Sequence, residues 1–328
     1  MERKLEIFID EEDEGRSVSD ILRRRAGMTR AQIRSVKFRP GGLTADGCRV
    51  RSSDCLIRGQ VLQVLLGEEA EEEQGCLWIP DPSPLEILYE DEDIIGINKP
   101  SGVVTHPSPG HFADSLANRL ANYFSAGKDE YRMQIRPIGR LDKDTSGIVL
   151  FAKNQVAASK LEAQRRVGRL EKEYLALVRG CPAARTGAVM APIGKSPDSL
   201  MKMQVCSGGK PACTYYETVE EGTEWSLLRL RLETGRTHQI RVHMAWLGHP
   251  LLGDSLYGSG PEHGVDRAAL HAAGLFFDQP FSGKRIRLAA ALPEDMRGIC
   301  KEMFSCFIGN CGPYETKPSG GITLRRKE

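Results

Sequence analysis

The sequence lacks the long apolar segments that mark membrane and secreted proteins. No apolar run reaches about 18 residues, the length needed to cross a bilayer. The first residues, MERKLEIFIDEEDEG, contain no basic segment followed by an apolar stretch, so no secretory signal is expected. Aromatic residues make up only 6% and hydrophobic residues 40% of the 328 residues, a globular composition. We therefore expect a globular, cytoplasmic protein with no membrane partner.

The motifs of common cofactor and metal sites are also missing. No G-x-G-x-x-G or G-x-x-x-x-G-K-[ST] occurs, because GSG at 258–260 lacks a third glycine at the required spacing. Neither H-E-x-x-H nor C-x-x-C is present, and Cys300, Cys306 and Cys311 fit no zinc-binding spacing. The nine cysteines are irregularly spaced, which favours reduced thiols over a disulfide framework. The sequence thus predicts no cofactor and no metal.

The formal net charge is only +1, but its distribution along the chain is uneven. Residues 14–66 contain eleven basic and four acidic residues, and acidic runs flank them at 10–14 and 68–73. This distribution is typical of a small anion-binding module with polar linkers. The charged surface of an ordinary domain would show the same pattern, so charge alone leaves both interpretations open.

Residues 1–67 are predicted to form a small basic α/β domain. Its first helix is expected to be capped by Ser19 or Asp20, and its second by Thr29. A strand at 61–65 closes the unit. A domain of this size lies near the lower limit of independent stability.

The rest of the chain is predicted to form a linker, a larger domain and a tail. Residues 68–84 contain a glutamate run and three prolines, a composition that favours a linker. The larger domain spans 85–308, and we expect disorder at 309–328. Its predicted strands lie at 87–89, 94–97, 147–153, 174–178 and 228–232, and its predicted helices at 114–124, 155–166, 239–247 and 295–308. Hairpins mixed with a few helices favour an α+β fold with a mixed, mostly antiparallel sheet and flanking helices.

A concentrated polar segment, RPIGRLDKDTSG at 136–147, precedes the long apolar strand. Its second half is a good turn sequence, so a plain loop is one interpretation. Two nearby acids also suggest a glycoside hydrolase that uses Asp142 and Asp144 as acid and base. Carboxylates two residues apart on an extended segment lie along one face, with no assured gap for a substrate. Taken alone, these residues leave both interpretations open.

The sequence RLDKDTSG at 140–147 resembles the R-L-D-x-x-T-S-G signature of the RluA/RluD-type pseudouridine synthases. The family usually has His before the arginine, whereas this chain has Gly139, a departure that affects only local packing. Other blocks resemble the family in the same order: NKPSG at 98–102, KEYLALV at 172–178, TGRTHQIRVH at 234–243, its continuation at 248–258, and LHA at 270–272. The resemblance covers about 85–293, and the basic N-terminal block is similar to the alpha-L RNA-binding motif that often precedes this domain.

The resemblance implies an RNA pseudouridine synthase. Such enzymes isomerise uridine by breaking the glycosidic bond, rotating the uracil and rejoining it through carbon 5, without a cofactor. In this chain Asp142 would be the nucleophile or the ion-pair partner at the sugar, with attack on the base as an open alternative. Arg241 would pair with Asp142, and Tyr174 would stack on the flipped uracil. Arg140 would fill the gap that the flipped nucleotide leaves in the RNA.

Other matched residues are expected to bind the substrate. With Arg140 these are Lys99, Thr145, Arg236, His238 and Gln239. The residues of the basic module expected to contact RNA are Arg23, Arg24, Arg30, Arg34, Lys37 and Arg39. The implied partner is large-subunit ribosomal RNA, or transfer RNA, bound by a monomer. A non-catalytic RNA-binding protein on the same fold is the alternative.

Overall fold

The computed structural model describes residues 3–66, 79–125, 136–199 and 201–303. The strands in this part of the chain are β1 (Arg3–Phe8), β2 (Leu43–Ala45), β3 (Cys48–Arg49), β4 (Val61–Leu66), β5 (Glu86–Glu90), β6 (Ile94–Lys99), β7 (Arg136–Ile138), β8 (Ser146–Ala152), β9 (Glu171–Arg179), β10 (Thr186–Met190), β11 (Ile193–Lys195), β12 (Met203–Val205), β13 (Cys213–Glu221), β14 (Trp225–Leu232), β15 (Leu270–Asp278) and β16 (Arg285–Ala289). The helices are α1 (Val18–Arg25), α2 (Arg30–Lys37), α3 (Leu116–Ser125), α4 (Gln155–Arg166), α5 (Gln239–Trp246) and α6 (Glu294–Met303). None of these described helices has the length and apolar character needed to span a membrane.

Polar caps define the two helices of the N-terminal unit. The Ser17 hydroxyl accepts a hydrogen bond from the Asp20 backbone N–H at 3.2 Å and caps α1. Ser17 is therefore the cap, rather than the predicted Ser19 or Asp20, because both of those residues already lie inside the helix. Helix α2 is capped by Thr29, as predicted, in a capping box with Gln32. Beside them, β1, β4, β2 and β3 pair in that order to form an antiparallel sheet.

The N-terminal unit packs against α4 of the larger domain. Val156 of α4 joins the apolar core of the unit. The Gln32 side chain donates to the Ser159 hydroxyl at 3.1 Å, and Arg3 forms an ion pair with Asp93 at 3.3 Å. These contacts place α2 beside the start of α4.

Ten strands form the central sheet of the larger domain. Eight follow the order β10-β13-β14-β9-β15-β8-β6-β5, with β16 beside β15 and β7 beside β8. Every pair is antiparallel except β8 with β15, which is parallel. The predicted α+β fold with a mixed, mostly antiparallel sheet is thereby confirmed.

Strands β8 and β9 are buried on both faces, which explains their nearly continuous apolar sequences. Successive side chains of a strand point to opposite faces. Val149 and Tyr174 face the apolar cluster that includes α3 and α5. Ile148 of β8 faces the cluster around α4, and Leu175 of β9 faces the cluster around α6. Tyr174 therefore lies on the same side of the sheet as α5.

A close backbone approach fixes where β8 meets β15. Gly147 has a φ of 111°, and a Cβ at this position would lie 2.3 Å from the Ala272 carbonyl oxygen. Glycine is required here by both the backbone angle and the contact. The loop at 139–145, which joins β7 to β8, consequently ends at a fixed point beside β15.

The last residues of the predicted linker belong to the larger domain. Residues 79–84 bind α3 instead of crossing solvent. The Asn118 side chain donates to the Ile79 carbonyl at 2.7 Å, and Arg119 pairs with Asp81 at 3.2 Å. The three prolines of the predicted linker therefore lie in a segment that contacts α3.

The other predicted boundaries lie outside the described residues. These are the rest of the linker, the end of the closing helix and the tail at 309–328. Helix α6 coincides with the first part of the predicted closing helix at 295–308.

Candidate active site

The loop at 139–145 is held by hydrogen bonds to its backbone. The Thr105 hydroxyl accepts the Leu141 N–H at 3.3 Å and donates to the Leu141 carbonyl at 3.2 Å. The Thr145 N–H donates to the Asp142 carbonyl at 3.2 Å. The backbone on both sides of Asp142 is therefore fixed before any ligand arrives.

Lys99 lies beneath the loop with a fully buried side chain. Its ammonium donates to the carbonyls of Pro100, Val103 and Lys143 at 2.9, 2.7 and 2.9 Å. Burial lowers the pKa of Lys99 to about 7, although nearby carboxylates oppose the shift. The expected contact with substrate needs correction, because carbonyls of the protein occupy all three donors of Lys99, one of them in the loop and two in the turn after β6.

Asp142 is half-buried, and among the described residues none donates a hydrogen bond to its carboxylate. Its charge acts on the aromatic groups around it. Burial raises the pKa of Tyr174, and the charge of Asp142 adds to the shift. Burial lowers the pKa of His238, and the same charge opposes that shift. The Asp142 carboxylate thus acts electrostatically on both side chains while its oxygens carry no described hydrogen bond.

Arg241 lies in α5 and pairs directly with Asp254. Its Nε and Nη2 donate to the two carboxylate oxygens of Asp254 at 2.8 and 2.7 Å, and both side chains are buried. Burial disfavours the cation, but hydrogen bonding and charge from Asp254, with the charge of Asp142, raise the pKa of Arg241. The predicted direct partner, Asp142, is therefore corrected to Asp254, which occupies the two-pronged face of the guanidinium. Arg241 remains a cation within electrostatic reach of Asp142.

Tyr174 lies in β9 with its ring in the apolar cluster, and only 6% of its surface is exposed. Burial, followed by the charge of Asp142, raises the pKa of its hydroxyl well above the usual range. The phenol is therefore neutral at physiological pH. A neutral aromatic ring near a carboxylate suits stacking on a base better than accepting a proton.

His238 precedes α5 with a φ of 55°, a left-handed conformation that is uncommon outside glycine. Its Nδ1 lies 2.9 Å from the Tyr257 hydroxyl, which also accepts the Met203 N–H at 2.8 Å. Burial lowers the pKa of His238, so the ring is neutral at pH 7. The Arg241 guanidinium lies over the Tyr257 ring, 5.1 Å from its centroid. Tyr257 therefore connects His238 to Arg241.

Gln239 and Arg236 stabilise the turn before α5. The buried Gln239 side chain accepts from the Thr234 hydroxyl and the Arg236 N–H, and donates to the Thr214 hydroxyl and a carbonyl of β13. The half-buried Arg236 donates through Nε to the Pro211 carbonyl at 3.0 Å. Gln239 was expected to bind substrate, but it supports the turn because all four of its hydrogen-bonding positions are occupied.

The remaining predicted residues differ in exposure. Arg140 is exposed, and its guanidinium has no hydrogen-bond partner among the described residues. Thr145 is buried, so it supports the loop rather than meeting a substrate. Next to it, the Ser146 hydroxyl lies 2.9 Å from His271 Nδ1. Burial lowers the pKa of His271 to about 4, which makes it a neutral structural residue.

The two acids of the loop share part of their surroundings. Both charges act on Lys99 and His238, whereas Asp142 is the acid of the loop that acts on Tyr174. A pair of catalytic carboxylates would have to flank the same bond. In the described part of the chain, moreover, no three His, Cys, Asp or Glu side chains are grouped in a way that would bind a metal.

Comparison with known proteins identifies the family to which this chain belongs. The family described as RNA pseudouridylate synthase matches residues 93–246. The uncharacterized RNA pseudouridine synthase YjbO of Bacillus subtilis is 38% identical over 275 residues, which cover 84% of this chain and 95% of that protein. The chain belongs to the RluA/RluD-type RNA pseudouridine synthases.

Other proteins similar to this chain are also described as pseudouridine synthases. Ribosomal large subunit pseudouridine synthase D of Yersinia pestis is 41% identical over 268 residues, or 77% of this chain and 80% of that protein. The structure of human RNA pseudouridylate synthase domain containing 1 is 28% identical, with a TM-score of 0.53 over 64% of this chain and 84% of that one. The predicted enzyme class, an isomerase acting on RNA, is confirmed. The comparisons favour neither the glycoside hydrolase nor the non-catalytic RNA-binding protein.

Three residues of this site received no role from the sequence: Thr105, Asp254 and Tyr257. Asp254 and Tyr257 lie in the matched block at 248–258, so a signal was present without a role attached. Thr105 lies in no motif, and its contact with Leu141 arises only when the chain folds.

We expect Asp254→Asn to lower the free energy of unfolding by about 3 kcal/mol, because it leaves the Arg241 guanidinium buried without a counter-charge. Urea unfolding at pH 7 measures the loss. The control is Glu171→Gln, which removes one partner of the exposed Arg285–Glu171 pair. Its cost should stay below about 1 kcal/mol, and equal costs for both variants would contradict the expectation.

The same pair determines how stability changes in acid. Burial would raise the pKa of Asp254, but hydrogen bonding and charge from Arg241 lower it below the ordinary value of 3.8. The unfolded chain therefore binds more protons in acid, and the stabilisation is complete only above about pH 5. We expect it to decline as the pH falls through that ordinary value. Other carboxyl groups with lowered pKa values remain in Asp254→Asn, so unfolding free energies between about pH 3 and pH 6 should decline in both proteins and more steeply in the wild type.

Proposed function

We propose that this enzyme converts specific uridines of large-subunit ribosomal RNA to pseudouridine, with Asp142 as the nucleophile. The carboxylates of Asp142 and Asp144 are both partly exposed, and neither accepts a hydrogen bond from a described residue. The observation that carries the proposal is that Asp142 is the acid of this loop whose charge acts on Tyr174, and the same charge acts on Arg241. The name of the Yersinia relative supports ribosomal RNA of the large subunit as the substrate class. Transfer RNA is the other class that the family resemblance allows.

The proposed reaction needs only a carboxylate at the sugar. An oxygen of Asp142 attacks the anomeric carbon while the bond to uracil N1 breaks, and the electron pair leaves with the uracil. After the uracil rotates, its carbon 5 bonds to the anomeric carbon and displaces the carboxylate. Carbon 5 then loses its proton and N1 gains one, so the product is an isomer of uridine. Arg241, held by Asp254, supplies a fixed positive charge near this exchange of bonds.

Access to the uridine requires that the nucleotide leaves its stack. Arg140 is exposed at the start of the loop, which suits a side chain that enters the RNA in place of the flipped base. Tyr174 is neutral and apolar, which suits a ring that stacks on the uracil. All these residues belong to one chain, so we propose that the monomer is active. We also propose that the enzyme acts in the cytoplasm, because its proposed substrate is ribosomal RNA.

We also propose that residues 1–67 form an RNA-binding module whose contact surface is α2. In α1, Arg23 pairs with Asp20, and Arg24 lies 3.4 Å from Glu12. In α2, the exposed Arg30 and Arg34 have no acidic partner within the described chain. Unpaired arginines gain more from phosphate than arginines already held by carboxylates, so α2 supplies the stronger site.

The last two residues expected to contact RNA have different positions. The Lys37 ammonium lies 4.7 Å from the centroid of the exposed Phe38 ring. Arg39 is only 9% exposed and lines a small cavity between α2 and α4. We therefore assign Lys37 to the RNA-contact surface and Arg39 to the contact with α4.

Asp142→Asn should abolish isomerisation, by more than about a thousandfold in kcat, because the amide is a far weaker nucleophile. RNA affinity should change little, since the substitution removes no basic group. Asp144→Asn is the matched control, two residues away, and should retain activity. Pseudouridine formation in ribosomal RNA transcripts measures both, and an active Asp142→Asn variant would refute the nucleophile.

The double variant Arg30→Gln/Arg34→Gln should weaken RNA binding about tenfold at physiological salt and reduce the slope of log affinity against log salt by about 1.5. The charge-matched control, Arg23→Gln/Arg24→Gln, should have less than half this effect, because its arginines are already paired with acids. Binding measured across a salt series tests the difference. Equal losses would show that α2 is not the preferred surface.

A further inference from the structure

Four successive backbone carbonyl groups of the Asp142 loop, at 141–144, each accept a hydrogen bond. Thr105 binds the Leu141 carbonyl, and the Thr145 N–H binds that of Asp142. Lys99 binds the Lys143 carbonyl. The next carbonyl, that of Asp144, is bound from another direction by Arg267, which lies just before β15.

The Arg267 guanidinium uses its donors in two directions. Its Nη1 donates to the carbonyls of Asp144, Ala268 and Leu270 at 3.1, 3.1 and 3.2 Å. Its Nε and Nη2 donate to the two carboxylate oxygens of Asp295 at 2.6 and 3.0 Å. The Arg267 side chain is only 6% exposed, so Asp295 supplies the charge that a buried guanidinium needs.

Asp295 itself is held in place by a helix. It lies in the first turn of α6, where Met296 and Ile299 are buried against residues of β9 and β14. Helix α6 therefore connects to the Asp142 loop through one salt bridge and one hydrogen bond. No motif in the sequence assigned a role to either residue of this pair.

We infer that Arg267 and Asp295 act as positioning residues for the Asp142 carboxylate, an inference that rests on the proposed role of Asp142 as nucleophile. The carboxylate has no hydrogen bond from a described residue, so its position depends on the backbone of its loop. Arg267 fixes that backbone two residues beyond Asp142. Small displacements of a reacting group can slow a reaction by about a hundredfold.

The test compares Arg267→Met with Arg267→Lys and Asp295→Asn. A control, Arg119→Met, breaks a single Nε–Oδ2 contact of 3.2 Å between α3 and Asp81 and removes no hydrogen bond to the loop. We expect Arg267→Met to lower kcat by about tenfold or more, while the KM for RNA stays within about twofold. Arg267→Lys and Asp295→Asn should fall between this variant and the wild type, and Arg119→Met should keep the wild-type kcat.

A second measurement reads the loop directly and does not need turnover. Amide hydrogen exchange at 140–146 should become about tenfold faster in Arg267→Met and should stay unchanged in Arg119→Met. If Arg267→Met fails to fold, Asp295→Asn gives the same comparison, since it retains the shape of the side chain.

Unchanged loop exchange in a folded Arg267 or Asp295 variant would overturn the inference, and so would equal effects from Arg119→Met. If the wild-type enzyme is active, an unchanged kcat in the Arg267 and Asp295 variants would also overturn the inference. A wild-type enzyme without activity on RNA would instead contradict the proposed function, and the exchange data would still decide whether the pair holds the loop.

Discussion

The parallel pairing of β8 with β15 is the constraint on which the site depends. It brings Gly147 against the backbone of Ala272, an approach that no side chain larger than hydrogen permits. The Asp142 loop precedes one of these strands, and Arg267 precedes the other. One backbone contact therefore helps to place both the loop that carries Asp142, the proposed nucleophile, and Arg267, which donates to the Asp144 carbonyl of that loop.

The charges around the loop follow a consistent pattern. Buried charges are satisfied locally: Arg241 by Asp254, Arg267 by Asp295, and Lys99 by three carbonyls. Such pairing is what makes buried charge tolerable. The carboxylates of Asp142 and Asp144 differ, because both are half-buried and neither has a donor in the described structure. A rigid, satisfied frame around the Asp142 carboxylate is the arrangement that electrostatic preorganisation requires.

The fold class followed from local patterns that the sequence displays. Helix α4 spans the predicted 155–166, and its start is set by the Asn154 cap. The apolar run at 147–153 likewise predicted the buried strand β8. A strand was also predicted at 174–178, and β9 is longer than expected. The Ser17 cap was missed because Ser19 and Asp20, two equally suitable caps, follow it at once.

The site was less predictable, since a motif names residues without their partners. Arg241 was predicted to pair with Asp142, but its direct partner, Asp254, lies thirteen residues away at a position set by tertiary packing. Lys99 and Gln239 were matched too, yet only folding shows that their polar atoms point into the protein. Sequence resemblance identified the family, and the contacts then showed that Lys99 and Gln239 have their hydrogen-bonding positions occupied within the protein.

Mapping of pseudouridines tests directly whether this protein makes pseudouridine in ribosomal RNA. Pseudouridines would be located at single-nucleotide resolution in total RNA from cells with and without the protein. We expect specific uridines of large-subunit ribosomal RNA to lose their modification in cells without the protein and to regain it when the wild-type protein is restored. Loss confined to transfer RNA would show that transfer RNA is the substrate. No change at any uridine would contradict the proposed activity.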